Sequence, residues 1–207
     1  ANTGTTTSSC SISGNLANYN TKTYYAIFAT LQSSAHNTIV SFDDTKVDEQ
    51  SSQSITIKHS HAGTVSLSLS GTNAGDFSLS ENSFTSTSYQ EGRNITIYFK
   101  PTCVGERTAT LTISSNNGLS SLTVYLKGNG LRHTPTAITW QEPIDVNMFI
   151  GDSRTVNVNS TTDGNITYSS SNTSVLSVSG NTLTAKAEGI AIITATQAAT
   201  CKYEAVS

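Results

Sequence analysis

The sequence predicts an all-β protein made of two antiparallel β-sandwiches in tandem. Three observations support this prediction. Apolar residues alternate with polar ones over many short runs, Gly and Asn separate the runs, and Ser and Thr make up roughly a third of the 207 residues. An alternation with a period of two places one face of a strand in a core. Thr favours strands, and strands with one wet face need no more than the 35% hydrophobic residues present here.

The first unit shows this alternation in about seven short runs, which is the strand number of an immunoglobulin-like sandwich. Six of these runs are Ile39–Phe42, Ile55–Ile57, Val65–Leu69, Ile95–Phe99, Ala109–Ile113 and Leu122–Leu126, with a turn at His61–Thr64. Asn116–Gly118 predicts a hairpin, because Asn-Gly tolerates positive φ at both turn positions. We expect Phe99, Leu111 and Leu126 in the core of this unit.

A second set of runs follows Gly128–Thr136, whose glycines and proline mark a boundary. The runs are Ala137–Trp140, Arg154–Val158, Ile166–Tyr168, Val175–Val178, Thr182–Ala185 and Ile190–Ala195. They predict a second immunoglobulin-like sandwich with Val178, Leu183 and Ile193 in its core. The predicted domains are 38–130 and 137–207, with a linker at 131–136. The second sandwich either has a short last strand or lacks it.

Residues 1–37 are assigned to an N-terminal tail or linker, or to the remnant of an upstream domain. Residues 23–31 are more apolar and fit either a strand or a short helix, and they either add an edge strand to the first sandwich or belong to the upstream remnant. The chain opens at Ala1 without an initiating Met, which we interpret as a piece of a longer protein.

Residues 38–130 resemble the ASPM-SPD-2-Hydin-like immunoglobulin domains of bacterial surface proteins. The matching segments are Ile55–Ile57, Leu67–Leu69 with Gly71, Asp76–Phe77, Ile97–Pro101, Gly105, Ala109–Ile113 and Leu126–Gly130. Lys58–Ser60 stands where that family often has an Asn after its second strand.

Residues 137–207 are similar to the bacterial immunoglobulin-like domains of group 2, the repeated modules of intimin- and invasin-type adhesins. The matching residues are Ser169–Asn172, Val175, Val178, Gly180, Leu183, Ala185, Gly189, Ala191, Ile193 and Ala195. Neither resemblance implies an enzyme, a cofactor or a catalytic residue.

The charge balance excludes some partners. A net charge of −3 argues against a nucleic-acid surface, which needs a basic stripe. No apolar run has the length of a membrane span, so we expect no membrane insertion in this segment.

The three cysteines, Cys10, Cys103 and Cys201, fit no zinc or redox spacing. An odd count allows at most one internal disulfide. They are either isolated thiols or contain a Cys10–Cys103 bridge between the tail and the first sandwich.

Two clusters invite a metal-site hypothesis, and both have a simpler interpretation. His59 and His61 share the parity of Ile55 and Ile57, and two histidines at a partly buried turn account for them better than a metal site without a third ligand. Asp43–Asp44 with Asp48–Glu49 lack calcium-loop spacing and fit a solvated loop. We therefore expect no metal and no cofactor.

Tyr98 and Tyr125 have outward parity on strands that we expect to be neighbours in one sheet. They form either a face on which a sugar stacks or a cross-strand pair that stabilises the sheet. No nucleophile, phosphate-loop or zinc motif occurs.

The sequence thus predicts a non-enzymatic structural or adhesive segment of a secreted or cell-surface bacterial protein, acting as a spacer or contacting protein or glycan. The alternatives are a carbohydrate-binding module and an accessory domain of a secreted glycan-active enzyme. We expect a short linker with little free tumbling and with Leu131 as its contact.

Overall fold

The computed structural model describes residues 29–86, 91–141 and 147–207, and these residues form strands, turns and one short 3-10 helix. They fold into two β units, which confirms the predicted all-β class. No helix among the described residues is long and apolar enough to span a membrane.

The first unit is a sandwich of two sheets. The first sheet has the order β1-β4-β8-β6 and the second has the order β2-β10-β9-β5-β7, with β3 also paired to β10. The strands are β1 (Thr30–Ser33), β2 (Ile39–Ser41), β3 (Thr45–Lys46), β4 (Ser51–Ser60), β5 (Thr64–Ser70), β6 (Phe77–Leu79), β7 (Ser83–Thr85), β8 (Glu91–Phe99), β9 (Gly105–Ser115) and β10 (Leu122–Leu131).

Strand β1 belongs to this sandwich although the predicted domain began at residue 38. It pairs antiparallel with β4, and Thr30 lies opposite Ser60. The structure therefore extends the first unit upstream and assigns residues 30–33 to the edge-strand alternative. The rest of the 23–31 segment, apart from Ala29, lies outside the described residues.

Most pairs of described strands are antiparallel, and the two parallel pairs both involve β10. It pairs antiparallel with β9 and parallel with both β2 and β3. The two short strands thus run alongside the last strand of the unit and close the sheet on that side.

One apolar core fills the space between the two sheets and confirms the burial expected from the alternation. Phe99 and Leu111 are fully buried, and Leu126 is 1% exposed. Phe99 lies in an aromatic cluster. Its ring centroid is 5.0 Å from that of Phe77 and 5.5 Å from that of Phe42. Aromatic pairs at such distances add to the stability gained from apolar burial.

The Gly-x-Gly pattern at the end of β10 has a steric cause. A Cβ on Gly128 would lie 2.4 Å from Cε1 of Phe99, and a Cβ on Gly130 would lie 2.3 Å from the carbonyl oxygen of Cys103. The first glycine makes room for the central core ring. The second lets β10 approach the loop that carries Cys103.

The second unit contains three small antiparallel sheets. The sheets have the orders β12-β16-β15, β11-β13 and β14-β17. The strands are β11 (Thr139–Trp140), β12 (Ser153–Thr155), β13 (Val158–Asn159), β14 (Ile166–Ser170), β15 (Leu176–Ser179), β16 (Thr182–Ala185) and β17 (Ile193–Gln197).

The core of the second unit is built from smaller residues than that of the first. Leu183 is buried as predicted, whereas Val178 and Ile193 are only half-buried. The other buried apolar residues are Val156, Val158, Ala185 and Ala195. The alternation located the inward face, but it did not show how thinly this face is covered.

A buried glutamine ties a loop to β17. Gln197 is 1% exposed. Its Nε2 donates to the carbonyl oxygens of Thr162 (3.1 Å) and Gly164 (2.8 Å), and its Oε1 accepts from Ser160 Oγ at 2.6 Å. These three bonds satisfy the amide, as a buried polar group requires.

Candidate functional site

The two units meet through a short segment near the end of the described chain, Thr200–Glu204, which we call the strap. The strap pairs with His133, the second residue after β10. The His133 amide donates to the Lys202 carbonyl (2.7 Å), and the Glu204 amide donates to the His133 carbonyl (3.0 Å). The segments that enter and leave the second unit therefore lie side by side.

The strap is also attached covalently to the first unit. Cys201 forms a disulfide with Cys103, with Cα atoms 4.8 Å apart. Beside the bridge, the Val104 amide donates to the Cys201 carbonyl at 3.1 Å. The predicted Cys10–Cys103 bridge is therefore wrong, because Cys103 pairs with Cys201. The interpretation of Cys103 and Cys201 as isolated thiols is wrong for the same reason. Cys10 lies outside the described residues.

A charged pair adds a third contact of the strap. Lys202 Nζ lies 2.7 Å from Asp48 Oδ2, and both side chains are about half exposed. The hydrogen bond from Lys202 is the main cause that lowers the pKa of Asp48 below its ordinary value, and the same bond raises the pKa of Lys202. Asp48 adopts a left-handed backbone, with φ of 66°, in the turn after β3.

We call the strap, His133 and the Cys103–Cys201 bridge together the joint. The side chain of His133 adds a further contact between the joint and the first unit. Its Nε2 lies 2.6 Å from the Val47 carbonyl oxygen, to which it donates, and its ring centroid lies 5.8 Å from that of Tyr203. Val47 itself is fully buried, and its amide donates to the Leu131 carbonyl. The imidazole thus contacts both Tyr203 of the strap and Val47, the residue that follows β3.

The loop that carries Cys103 is braced from inside the first unit. Asp76 is 5% exposed and accepts from both the amide (3.1 Å) and the hydroxyl (2.7 Å) of Thr102. Arg107 Nε donates to the Cys103 carbonyl at 3.1 Å and lies 3.2 Å from Asp76 Oδ2. These contacts fix the position of Cys103 without help from the second unit.

Leu131 is not the residue that sets the junction. Its side chain is 37% exposed, and the described contacts across the junction run through the strap, His133, Asp48 and Cys103. The strap begins 64 residues after the end of the linker, so the linker sequence by itself could not predict this contact.

Tyr98 and Tyr125 do not share a face, which corrects the expectation that they lie in one sheet. Tyr98 is on β8 in the first sheet, and Tyr125 is on β10 in the second. Tyr98 lies opposite Ser52 and Ser78, whereas Tyr125 lies between Ile39 and Thr110. Outward parity was right for both, but a sandwich has two outward faces.

Tyr125 borders a shallow groove of about 530 Å³ on the outside of the second sheet. Tyr125 is 48% exposed and Ile39 is 62% exposed. Thr72, Thr108 and Thr110 add polar groups to the lining. The groove therefore combines flat apolar area with hydroxyl groups.

His59 lies near the end of β4, and His61 lies in the connection that follows it. His59 is 3% exposed, packs with its ring centroid 4.8 Å from Phe84, and has Nδ1 3.0 Å from Ser86 Oγ. That same Oγ accepts from the Ala62 amide at 3.1 Å. The hydrogen bond between Ser86 and His59 thus lies under the turn and stabilises it.

The acidic residues Asp43–Asp44 and Asp48–Glu49 flank β3 on the surface. Asp44 Oδ1 accepts from the Asn129 side chain at 3.1 Å, and Asp48 is engaged by Lys202. Among residues 29–86, 91–141 and 147–207, no three His, Cys, Asp or Glu side chains are grouped so that they could hold a metal.

The comparisons with known proteins concern mainly the first unit. Residues 31–131 match the family model described as Cep192 domain 4. The match supports an immunoglobulin-like domain of the ASPM-SPD-2-Hydin type in this part of the chain. A search of curated proteins found no match.

Three solved structures illustrate the structural likenesses. The PapD-like domain 7 of human CEP192 is 14% identical, with a TM-score of 0.39, covering 56% of this chain and 96% of that one. A protein of unknown function from Porphyromonas gingivalis W83 is 12% identical, with a TM-score of 0.36, covering 80% and 82%. A family 123 glycoside hydrolase from Clostridium perfringens is 11% identical, with a TM-score of 0.33, covering 45% of this chain and 22% of that one.

Proposed function

We propose that the chain is a non-enzymatic structural segment of a secreted or cell-surface bacterial protein, in which two immunoglobulin-like units form a spacer. The joint is the observation that carries this proposal. The strap, the Cys103–Cys201 bridge and His133 connect the units at several points within a few residues. A connection of this kind limits bending, as a spacer requires.

The immunoglobulin-like character of the first unit supports a role in interaction or architecture, since such sandwiches present loops and faces on a rigid frame. We further propose that the second unit is a group 2 bacterial immunoglobulin-like domain. Two glycines of that resemblance, Gly180 (φ 59°) and Gly189 (φ 147°), have backbone angles that favour glycine. This agrees with their place in the motif.

The disulfide supports the proposed location outside the cytoplasm. Disulfides form and persist in oxidising compartments and are rare in cytosolic proteins. Cys201 is exposed, so an intracellular thiol pool would reach it.

Backbone ¹⁵N relaxation tests the spacer directly. In the oxidised protein the amides of both units should report one rotational correlation time, because the joint makes them tumble together. Two clearly different times would overturn the proposal. Small-angle scattering adds the shape, and an elongated spacer requires a radius of gyration above the roughly 17 Å of a single compact domain of this length.

The Tyr125 groove favours one alternative, a carbohydrate-binding module, alone or as the accessory domain of a glycan-active enzyme. A ring with a hydroxyl tip beside three threonines suits a sugar face. Calorimetric titration against glycans found on an array tests it, with Tyr125→Ala as the variant and Tyr98→Ala, on the opposite sheet, as the matched control. Saturable binding that only Tyr125→Ala abolishes would replace the spacer with this alternative.

A further inference from the structure

The Cys103–Cys201 bridge encloses a large covalent loop. Its two cysteines are 98 residues apart. Cys103 lies two residues before β9, and Cys201 lies four residues after β17. The loop therefore contains β9, β10, the connection between the units and every described strand of the second unit.

This topology gives the chain two covalent routes between its ends. The long route follows the backbone through residues 104–200. The short route crosses the sulfur–sulfur bond from Cys103 to Cys201. A pulling force follows the short route, because the long one stays slack while the bridge holds its ends with Cα atoms 4.8 Å apart.

We propose that the bridge is a redox-controlled mechanical by-pass: under tension the oxidised chain transmits force across Cys103–Cys201, and the backbone of residues 104–200 cannot be extended until the bridge is reduced. This inference deepens the proposed spacer and rests on it, since a spacer is the kind of segment on which load falls. It assigns a function to a bond whose two cysteines are not among the buried core residues.

The by-pass protects the weaker unit. The second unit has a thin core, with half-buried Val178 and Ile193, and its β11–β13 ladder joins only Thr139–Trp140 to Val158–Asn159. The first unit holds Phe99, Leu111 and Ile113 with no exposed surface. Force enters the first unit through β1–β8 and leaves at Cys103, so the thin unit lies outside the loaded path.

The non-covalent part of the joint cannot replace the bond under load. It consists of an ion pair whose Lys202 and Asp48 side chains are 44% and 53% exposed, of backbone hydrogen bonds at His133 and Val104, and of single side-chain hydrogen bonds from His133 to Val47 and from Arg132 to Thr200. Exposed ion pairs contribute little because water screens them. Once the bridge is open, tension therefore reaches residues 104–200.

The same local structure favours closing the bridge again. Arg107 and Thr102 hold the Cys103 loop within the first unit, and the Val104–Cys201 hydrogen bond keeps the strap beside it. Opening needs a dithiol reductant. Its thiolate attacks one sulfur of the bridge, its second thiol displaces the mixed disulfide, and the products are two cysteine thiols and one oxidised dithiol.

Single-molecule force extension of the full chain, with handles fused at both ends, tests the by-pass. The background is Cys10→Ser, so that Cys103 and Cys201 are the two remaining cysteines. Adding dithiothreitol should increase the total released contour by the length of the enclosed loop. At 3.3–3.6 Å per extended residue, 98 residues give roughly 320–350 Å.

Cys201→Ser should release this longer length without any reductant, whereas the Cys10→Ser background in oxidising buffer should release the shorter one. Equal released lengths in the two redox states would overturn the by-pass. Mass spectrometry of the linked peptides, before pulling, must find Cys103 joined to Cys201, and its failure to do so would overturn it as well. The comparison of the Cys10→Ser background with and without dithiothreitol stands even if Cys201→Ser fails to fold.

The relaxation and force experiments can reject the spacer and the by-pass independently of each other. Two independent correlation times in the relaxation experiment would reject the rigid spacer while leaving the length difference intact. One shared correlation time with no length difference would reject the by-pass alone.

Discussion

Gly128 lies so close to Phe99 that a Cβ on the glycine would come within 2.4 Å of the ring. The first glycine of the Gly-x-Gly pattern and the central core ring thus pack directly against each other. Because position 128 is a glycine, β10 can pass close to the Phe99 ring that lies between the two sheets.

Gly128→Ala should destabilise the first unit by about 1–3 kcal/mol, because the added methyl forces the ring or the strand to move in a packed core. Chemical denaturation of the first unit measures the change. Gly75→Ala is the control, since a Cβ there meets nothing within 4 Å. Adding Phe99→Leu to Gly128→Ala should cost less than the sum of the two changes, and strict additivity would contradict the contact.

Leu111→Ala should destabilise the first unit by about 2–5 kcal/mol, because it removes fully buried apolar atoms and leaves a cavity. Trp140, the single Trp of the chain, lies in β11 and reports on the second unit by fluorescence. Its unfolding midpoint should stay nearly unchanged. Ile39→Ala, at a 62% exposed position, is the control. A common shift of both units would show one cooperative domain.

Gln197→Leu should destabilise the second unit by about 1–3 kcal/mol, because it leaves buried partners of the amide without their hydrogen bonds. The shift should appear in the Trp140 unfolding curve. Gln141→Leu, at an exposed glutamine that bonds Asn159 at 2.9 Å, should have a much smaller effect. Equal effects of the two substitutions would show that the buried network contributes nothing.

The Asp48–Lys202 pair should persist well into acid. The pKa of Asp48 is lowered in the folded protein, so the stabilisation is complete above the ordinary value of 3.8 and is lost as the pH falls through the lowered pKa. The pKa of Lys202 is raised, so its part is present below 10.5 and is lost as the pH rises through the raised value.

Carboxyl ¹³C titration by NMR measures the pKa of Asp48. Lys202→Met should move the pKa of Asp48 upward toward 3.8, while Lys127→Met, which removes the partner of Glu106, should leave it in place. An Asp48 that titrates identically in both variants would show that the pair does not form in solution.

The alternation of single residues predicted the strands and their inward faces well. Ile55, Ile57 and His59 follow one another on one face of β4, and all three are buried. The period-two pattern depends only on the local pleat, so it survives without knowledge of the partners. It also predicted outward positions for Tyr98 and Tyr125.

What the sequence did not predict are relationships between distant segments. Parity cannot say to which of two sheets a strand belongs, so Tyr98 and Tyr125 were placed together. Spacing likewise says nothing about spatial proximity across 98 residues, so the pairing of Cys103 with Cys201 was missed. The joint arises because the chain returns to His133 after a complete unit, and that return is a property of the whole path.

The parallel pairing of β2 and β3 with β10 has a consequence for the order of events during synthesis. Val40 and Thr45 find their partners at Leu126 and Gly130, more than 80 residues later. A ribosome therefore releases the early strands long before their sheet can close, and pairing over such separations is slow to form. Until the last strand emerges, the edge of β9 and its apolar face stand open to other chains. The nascent first unit should thus be a substrate for holding chaperones up to the moment Leu131 leaves the exit tunnel.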